Sequence, residues 1–319
     1  MKYKYLFIII AFWLSSCKQF EITRITKLET TSVTLNNNQV IASGNIIDIA
    51  ESGISDYGFC YGENNIPSIQ DNKISLNACN KTGEFSAKLI GLNAFKTYKI
   101  RAYAISNNSI AYGQTLQLIV NPTSINVSTD SINIISSKLI NLKGSVNGIG
   151  GINVLDYGIC WSLNANPTPL DFKVNYGILK NDTTFNGVII NPILDTTYHI
   201  RTFAQLDAST FYYSAEKTVR VNSLKIRTDI LGLFDPQNIF LIGYFDRLGA
   251  DPIQEFGFCW STTNTLPTLN DNKKIVLTTP ALGAFSAFLP FVSGNTYYSR
   301  TYAIVNGTVI YGNIQYKAF

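Results

Sequence analysis

One six-residue motif recurs three times along the chain, at intervals of 100 and 99 residues. The segment DYGFCY at 56–61 returns as DYGICW at 156–161 and as EFGFCW at 255–260. A Pro-Ser or Pro-Thr turn, an aspartate, a phenylalanine and a Thr-Tyr-x-x-Arg segment follow each copy at matching positions. So long and regular a period indicates three copies of one folding unit, which limits the fold to what about 100 residues can build.

Each copy has the sequence pattern of an all-β unit. Short runs of β-branched and aromatic residues alternate with clusters of Gly, Asn, Pro and Ser at a spacing of about 8–12 residues. No stretch after the first seventeen residues shows a helical apolar period. The predicted fold class is all-β, with three tandem immunoglobulin-like antiparallel β-sandwiches. We place them at residues 24–121, 122–222 and 223–319, with short joints at Asn121-Pro122 and Asn222-Ser223.

The first seventeen residues have the layout of a secretory signal. Lys2 and Lys4 precede the apolar run 6–14, and Ser15-Ser16-Cys17 follows it. A basic start, a short apolar stretch and small residues before a cleavage point are typical of signal peptides. The run is too short to cross a hydrocarbon core of about 30 Å as a helix. We therefore predict a signal peptide at 1–16.

The residues LSSC at 14–17 resemble the lipobox of bacterial lipoproteins, in which the cysteine thiol is lipidated. The resemblance implies that Cys17 carries acyl chains such as palmitate and that 17–23 is a tether to the membrane. Several acyl chains on one residue anchor a protein stably. Lys18, where inner-membrane retention would place aspartate, implies the outer membrane of a bacterial cell envelope. The periplasmic and external faces both stay open, as does an ordinary signal peptide with a chance cysteine.

A second resemblance covers almost all of residues 24–319. Leu92, six residues before Tyr98, and the segment YKIRAYA at 98–104 look like the corner between strands E and F of fibronectin type III domains. Together with Gly-Phe-Cys-Trp, Pro-Thr and Thr-Tyr-x-x-Arg, they resemble the fibronectin type III-like repeats found in tandem in surface lipoproteins of Bacteroidetes. The second and third copies depart at this corner, with Pro192 and Phe291.

Alternation along strand F separates core residues from surface residues. Tyr98, Ile100, Ala102 and Ala104 fall on one face, and Lys99, Arg101 and Tyr103 on the other. We expect the first face to be core, with the tyrosine hydroxyl bonded to backbone as in a tyrosine corner. Tyr198 and Tyr297 occupy the same place in their copies. His199 falls on the solvent face, where we expect no role for it.

Seven residues are candidates for ligand contact. They are Trp161, Trp260, Arg101, Arg201, Arg300, Tyr212 and Tyr213. The arginines share one register, and an arginine on a sheet face can stack over a ring, for which strand C offers Tyr61, Trp161 and Trp260. Packing is the expected role of these arginines, and a ligand-binding ladder is the alternative. Tyr112, Tyr212 and Tyr311 each follow their arginine by eleven residues.

The cysteines and the recurring acidic residues predict structural roles. Cys60, Cys160 and Cys259 are equivalent in the three copies and are expected to pack in the core. Cys79 stands alone, and whether it forms a disulfide with Cys60 is left open. Asp56, Asp156 and Glu255, and likewise Asp71, Asp171 and Asp271, recur in every copy. Such repetition favours turn capping over a single active site.

Composition excludes several functional classes. Charged residues make up 14% of the chain, and the net charge of +4 falls to +2 once Lys2 and Lys4 are removed. That is too weak and diffuse for nucleic-acid binding. A single histidine and the absence of short-spaced zinc ligands or phosphate loops predict no metal, cofactor or catalytic residues.

The sequence therefore predicts a non-catalytic, lipid-anchored envelope protein. The leading hypothesis is a protein-interaction or adhesion module whose partner is an envelope or host protein. The alternative is a glycan-binding accessory lipoprotein in polysaccharide capture, because the chain holds 18 Tyr, 19 Phe and 3 Trp, whose rings could stack on sugars. A passive stalk is a third possibility, less attractive because nothing follows the third copy. The ligand and the oligomeric state are not predicted.

Overall fold

The computed structural model describes residues 24–107, 109–123 and 125–319. These residues form two compact units. The first holds the described residues up to Thr34, with Ile41–Leu89 and Thr97–Ile119. The second holds Leu35–Val40, Ile90–Lys96 and Val120–Phe319. Strands dominate both units, and each sequence copy contributes one pair of antiparallel sheets.

The first copy forms nine strands: β1 (Lys27–Asn36), β2 (Gln39–Asp48), β3 (Asp56–Gly62), β4 (Asn72–Ser75), β5 (Gly83–Leu89), β6 (Leu92–Asn93), β7 (Thr97–Ser106), β8 (Ser109–Tyr112) and β9 (Leu116–Ile119). One sheet has the order β1-β2-β5, and the other has the order β4-β3-β7-β8, with β9 also pairing with β7. Between the two sheets, Phe59 and Ile100 are fully buried.

The second copy repeats this arrangement with β10 (Asn126–Ser136), β11 (Leu139–Asn147), β12 (Ile152–Asn153), β13 (Asp156–Ser162), β14 (Phe172–Asn175), β15 (Thr183–Ile190), β16 (Thr197–Gln205), β17 (Phe211–Tyr213) and β18 (Lys217–Arg220). Its sheets have the orders β10-β11-β15 and β14-β13-β16-β17, and β18 pairs with β16. Ile159 and Ile200 are fully buried at its centre.

The third copy has seven strands: β19 (Lys225–Asp235), β20 (Asn238–Arg247), β21 (Ile253–Ser261), β22 (Asn272–Ile275), β23 (Gly283–Pro290), β24 (Thr296–Val305) and β25 (Thr308–Ala318). Its sheets have the orders β19-β20-β23 and β22-β21-β24-β25. Leu241, Phe258 and Tyr297 lie in its core.

All three copies thus share one topology, a three-stranded sheet facing a sheet of four or five strands. The prediction of an all-β fold built from tandem immunoglobulin-like sandwiches is confirmed, and the arrangement fits fibronectin type III-like repeats. Across residues 24–319, apart from 108 and 124, the structure contains no helix with the length and hydrophobicity needed to span a bilayer.

The glycine of the recurring motif is required by a close approach between two strands. A Cβ atom added there would stand on a carbonyl oxygen of the neighbouring strand, at 1.9 Å from Ile74 O for Gly58, 2.0 Å from Val174 O for Gly158 and 2.1 Å from Lys274 O for Gly257. Real Cβ atoms do not approach so closely, so only glycine permits this pairing.

Aromatic residues of the repeat fill one corner of each sandwich. The ring that precedes the motif glycine packs edge-to-face on the recurring phenylalanine, at centroid distances of 5.0 Å for Tyr57 and Phe85, 4.9 Å for Tyr157 and Phe185 and 5.1 Å for Phe256 and Phe285. Each phenylalanine ring also covers the upstream glycine of the repeat, as Phe185 covers Gly144. Much of the aromatic content therefore stabilises the fold.

A buried threonine ties the first strand of each sandwich to the opposite sheet. Its hydroxyl accepts a hydrogen bond from a backbone N–H of strand F, from Ala102 to Thr30 at 2.9 Å, from Thr202 to Thr129 at 3.0 Å and from Thr301 to Thr228 at 2.8 Å. Strand pairing on that side of strand F is interrupted at this residue, as between Arg300 and Tyr302. The threonine thus satisfies a donor that the ladder leaves unpaired.

Candidate binding surfaces

The predicted lipidation site lies outside the described residues. Cys17, the signal peptide at 1–16 and the tether up to residue 23 precede Arg24, where the description begins. Lipidation of Cys17 therefore stays a prediction. The other candidate residues all lie within the described part of the chain.

The three arginines at one register stack on tyrosines of the next strand along the chain, which is β8, β17 or β25. The guanidinium carbon lies over the ring centroid at 3.6 Å for Arg101 and Tyr112, 4.0 Å for Arg201 and Tyr213 and 3.7 Å for Arg300 and Tyr311. Strand C does not supply the partner rings, as strict alternation along that strand indicates. Trp161 pairs with Ile200 and so points to the other face of the sheet from Arg201. The arginines pack against the fold, which was the expected role.

A turn that is one residue longer in the second copy changes which of its tyrosines is equivalent to Tyr112 and Tyr311. Tyr103 pairs with Tyr112 and Tyr302 with Tyr311, whereas Phe203 pairs with Tyr213. The turn before β17 is thus one residue longer, and Tyr213 rather than Tyr212 matches the other two tyrosines. Alignment at eleven residues past the arginine was wrong here, because it takes no account of an inserted turn residue.

The proline-led turn closes around the same cluster. The Arg101 and Arg300 Nε–H groups donate to the Pro67 and Pro267 carbonyls, each at 2.5 Å. The cysteine thiols donate to proline carbonyls as well, at 3.5 Å from Cys60 to Pro67, 3.5 Å from Cys160 to Pro167 and 3.3 Å from Cys259 to Pro267. In each copy, therefore, the recurring Cys, Pro, Arg and Tyr residues form one cluster within the sandwich.

The cysteines are structural and free. Burial raises the pKa of the Cys60 and Cys259 thiols and raises the pKa of Cys160 to about 12. Cys60 and Cys79 are both unbonded, and the Cys79 thiol donates to the Lys81 carbonyl at 3.2 Å. Because Cys60 instead contacts its proline turn, the structure contains no disulfide between these two residues.

The first group of recurring acids binds tyrosines rather than turns in two copies. The Tyr103 hydroxyl donates to Asp56 at 2.9 Å, and Tyr302 donates to Glu255 at 2.7 Å. Tyr103 is fully buried, so its expected exposure beside Arg101 was wrong, and the Lys73 ammonium lies over its ring at 5.8 Å from the centroid. Burial and the adjacent Asp56 carboxylate raise the pKa of Tyr103.

The second group of recurring acids caps the proline turn, as expected. Each carboxylate accepts the backbone N–H three residues earlier, at 2.8 Å from Ser68 to Asp71, 2.9 Å from Thr168 to Asp171 and 2.8 Å from Thr268 to Asp271. These contacts explain why an aspartate recurs at this place. They are local turn contacts and contain no pair of carboxylates arranged around a cleft.

The corner tyrosines bond to the backbone in two copies. The Tyr198 hydroxyl accepts the Ile193 N–H at 2.9 Å, and the Tyr297 hydroxyl accepts the Val292 N–H at 2.9 Å. Tyr98 donates to the Glu63 carboxylate at 2.9 Å. His199 is not a bare surface residue, because its Nδ1 lies 2.7 Å from Glu216 Oε1. The backbone N–H of Asn166 and then the His199 ring hold the pKa of Glu216 below its usual value.

The rings at the tryptophan position differ in exposure among the copies. Tyr61 is buried, and Trp260 is half-buried against the core beside Tyr297 at a centroid distance of 5.6 Å. Trp161 is half-buried and nearly parallel to Phe172, with centroids 6.4 Å apart and planes 15° apart. Phe172 is 69% exposed. Among the three copies, the second thus presents an aromatic pair at this position.

A cluster of three phenylalanines on the third copy was missed by the sequence analysis. The ring centroids are 4.8 Å apart for Phe234 and Phe288, 5.2 Å for Phe240 and Phe288 and 6.1 Å for Phe234 and Phe240. Phe234 is 63% and Phe288 43% exposed, on the outer side of the β19-β20-β23 sheet. Comparing the copies position by position would have found it, because the equivalents of Phe288 are Lys88 and Val188. We call these residues the phenylalanine cluster.

Within the described ranges, no group of three or more His, Cys, Asp and Glu side chains is placed to hold a metal ion. The residues that recur are committed to the fold, and the exposed aromatic residues differ between copies. Together the topology and these surfaces define a chain of tandem immunoglobulin-like antiparallel β-sandwiches, whose strand order fits fibronectin type III-like repeats.

Comparisons with known proteins were made by sequence and by structure. No protein-family model matches the sequence, and no curated protein matches it. Among solved structures, the chain is similar to a crystal structure of the FN1-FN3 domains of chicken CNTN1, with 8% sequence identity and a TM-score of 0.27, over 91% of this chain and 96% of that one. The strand order in each copy, rather than this match, defines the fold.

Proposed function

We propose that this protein is a non-catalytic, lipid-anchored lipoprotein of the bacterial cell envelope, of the kind found in Bacteroidetes, and that it acts as a protein-interaction module. The observation that carries the proposal is the phenylalanine cluster. Phe234 and Phe288 of this cluster are exposed, whereas the residues that recur in all three copies make contacts inside each sandwich. The equivalent positions of the other two copies do not hold a cluster of aromatic residues.

The chemistry of the cluster favours a protein partner. Exposed aromatic side chains grouped on one face are typical of the centre of protein interfaces, where they lose water and fill pockets of the partner. Ile230, on the same strand as Phe234, pairs with Ile242 on the outer face, is 44% exposed and extends the apolar surface. A strand face of this kind gives a rigid platform, because its backbone is held by the sheet.

The test places a photo-crosslinking phenylalanine analogue at position 288 in intact cells. We expect a discrete adduct with another envelope protein from position 288 and none from position 188, the equivalent place on the second copy. Phe240→Asn, which introduces the residue that the second copy carries as Asn141, should abolish the adduct without unfolding the sheet. Adducts of the same masses from both positions would contradict the proposal.

The lipid anchor has its own test. Lipidation of Cys17 would hold the chain in the outer membrane, with residues 17–23 as the tether. Cys17→Ala should move the protein from the membrane fraction to the soluble fraction and remove the acyl mass from the N-terminal peptide. A membrane fraction that is unchanged, without acyl chains on the wild-type peptide, would refute the anchor.

A second candidate function, glycan binding, is favoured by the Trp161 and Phe172 pair. Nearly parallel rings at a loop end can stack on the apolar faces of sugars, and Leu170 beside them is 98% exposed. The equivalents of Phe172 are Asn72 and Asn272, so Phe172→Asn is a substitution that the fold accepts in the other copies. Binding to a glycan array that Phe172→Asn eliminates would establish this function, and no binding by the wild-type protein would exclude it for the glycans tested.

A further inference from the structure

Three exposed isoleucines gather at the end of the first sandwich where the described chain begins. Ile25, Ile47 and Ile110 are 61%, 53% and 40% exposed. Ile25 precedes β1, Ile47 lies near the end of β2, and Ile110 lies near the start of β8. We call this end, with its three isoleucines, the isoleucine end.

Several contacts bring the chain segments that carry these residues to the same end of the sandwich. Ile25 and Ile110 line the same cavity, of about 550 Å³. The Ala50 N–H donates to Thr26 Oγ1 at 3.1 Å, which places the end of β2 next to Ile25. The Thr26 and Ser106 hydroxyls are 2.7 Å apart, which joins the end of β7 to the same surface.

Two of these isoleucines occur only in the first copy. The place of Ile47, directly after a buried apolar residue of strand B, is held by Asn147 and Asp246 in the other copies. The place of Ile25, three residues before the first buried residue of strand A, is held in the third copy by Ser223. The shared fold therefore does not need isoleucine at these positions, which leaves them available for a contact outside the sandwich.

The distance to the predicted anchor identifies that contact. Seven chain steps separate Cys17 from Arg24, and a fully extended chain covers at most about 25 Å in seven residues. An acylated Cys17 sits at the membrane surface, so the isoleucine end must lie within that distance of the lipid headgroups. Apolar side chains this close to a bilayer gain by entering its interface.

The charges at this end are nearly balanced. Cations are provided by Arg24, Lys27 and Lys81, and anions by Asp48 and Glu51. Arg24 is moreover engaged in an ion pair with Asp48. Such a surface is not strongly attracted to anionic lipids, so apolar insertion rather than charge would provide the contact.

We infer that the isoleucine end rests on the membrane, with Ile25, Ile47 and Ile110 inserted at the level of the lipid headgroups. The inference depends on the proposed lipidation of Cys17. Anchor and isoleucines together would fix the first sandwich at the bilayer surface, where a flexible tether alone would let it rotate freely.

The test uses the acylated protein in vesicles of phosphatidylethanolamine and phosphatidylglycerol that contain lipids brominated near the headgroup. A tryptophan reporter is introduced as Ile47→Trp. The control is Ile66→Trp, an isoleucine of the same copy that is 64% exposed and lies in the loop after β3, at the opposite end of the sandwich. Trp161 and Trp260 are common to both proteins and provide the shared background.

We expect brominated lipid to quench the emission of the Ile47→Trp reporter and to leave that of Ile66→Trp unchanged, with little effect of added salt. A second reporter, Ile110→Trp, should be quenched as well, and Ile25→Ser combined with Ile47→Asn should restore its emission. Equal quenching of the reporters at positions 47 and 66 by brominated lipid, in vesicles that carry the protein, would overturn the inference. Protein that fails to float with the vesicles, or that lacks the acyl mass, would refute the lipid anchor itself. Flotation therefore distinguishes failure of the anchor from failure of the isoleucine end to insert.

Discussion

Single residues of the repeat owe their regularity to contacts inside each sandwich. The guanidinium of Arg101 lies between the Tyr112 ring and the Pro67 carbonyl, and Arg300 has the same surroundings in the third copy. A lysine cannot provide both contacts, because its single ammonium has neither the planar face nor the directed Nε–H of arginine. The recurrence of arginine therefore follows from geometry rather than from charge.

Arg101→Lys should destabilise the first sandwich by about 1–2 kcal/mol, through loss of the cation–π contact and of a charged hydrogen bond. Hydrogen exchange measured by mass spectrometry over residues 24–119 would report the loss. Arg220→Lys, at an exposed position of β18, is the matched control and should have no measurable effect. Equal exchange in the two variants would contradict the structural role of Arg101.

The thiols should react in a fixed order. Cys60, Cys160 and Cys259 are buried, and burial raises the pKa of each, so that few thiolates form near neutral pH. Cys79 is only half-buried. In the folded Cys17→Ser protein, a maleimide should label Cys79 well before the other three, as peptide mass mapping would show. Labelling of Cys60 at the same rate as Cys79 would contradict this order.

Individual strands show which features of the fold follow from sequence. Alternation and turn residues predict the all-β fold, and the repeat predicts that the copies share one topology. The partner of Arg201 cannot be read in this way, because one extra residue in the turn before β17 shifts Tyr213 into the place expected for Tyr212. The hydrogen bond from the Ala102 N–H to the Thr30 hydroxyl could not be predicted either, because these two residues are brought together only by the packing of two sheets.

The candidate surfaces were predicted less well than the fold. The aromatic pair of the second copy includes Trp161, which the sequence analysis selected, but its partner Phe172 depends on which strands are neighbours. The phenylalanine cluster combines β19, β20 and β23, and Phe234 joins it near an irregularity in the pairing of β19. Exposure on a particular face cannot be deduced from a run of apolar residues without knowing the register of all three strands.

Gly58→Ala should disrupt the pairing of β3 with β4. The added methyl group would meet the Ile74 carbonyl at 1.9 Å, so one strand must move, at a cost of about 3 kcal/mol. Gly62→Ala, in the same strand, meets nothing within 4 Å and is the control. Faster hydrogen exchange over 56–75 in Gly58→Ala, but not in Gly62→Ala, is the expected result, and equal exchange would show that the close approach is unnecessary.

On the scale of the whole molecule, the second unit joins two sandwiches through polar contacts. Arg247 of the third copy lies 2.7 Å from Asp195 of the second, and Asp195 also accepts hydrogen bonds from Ser223. The Ser137 N–H donates to Asp251 at 3.0 Å. These contacts join the corner before β16 and the turn between β10 and β11 to the third copy, so we expect the two sandwiches to unfold as coupled domains.

The coupling should weaken in acid. Hydrogen bonds from Ser223, and then the nearby Arg247, hold the pKa of Asp195 below its usual value. Its stabilising effect is therefore present above the pKa of an unfolded aspartate and is lost as the pH falls through the lower folded value. Asp195→Asn should lower the unfolding midpoint at pH 7 and make little difference near about pH 2, below the ordinary carboxyl range. A difference that persists unchanged in acid would contradict this role of the carboxylate.

If the proposed lipidation of Cys17 holds the protein at its N-terminus, the hydrogen bond to the Thr30 hydroxyl has a mechanical consequence. Tension applied through such an anchor would reach the first sandwich at Arg24 and load β1 before any other strand. Because the Thr30 hydroxyl is bonded to the backbone of β7 in the opposite sheet, β1 cannot peel away from β2 until that cross-link has broken. The Thr30 hydroxyl therefore increases the resistance of the first sandwich to unfolding under tension, and Thr30→Val should lower the force at which this sandwich unfolds.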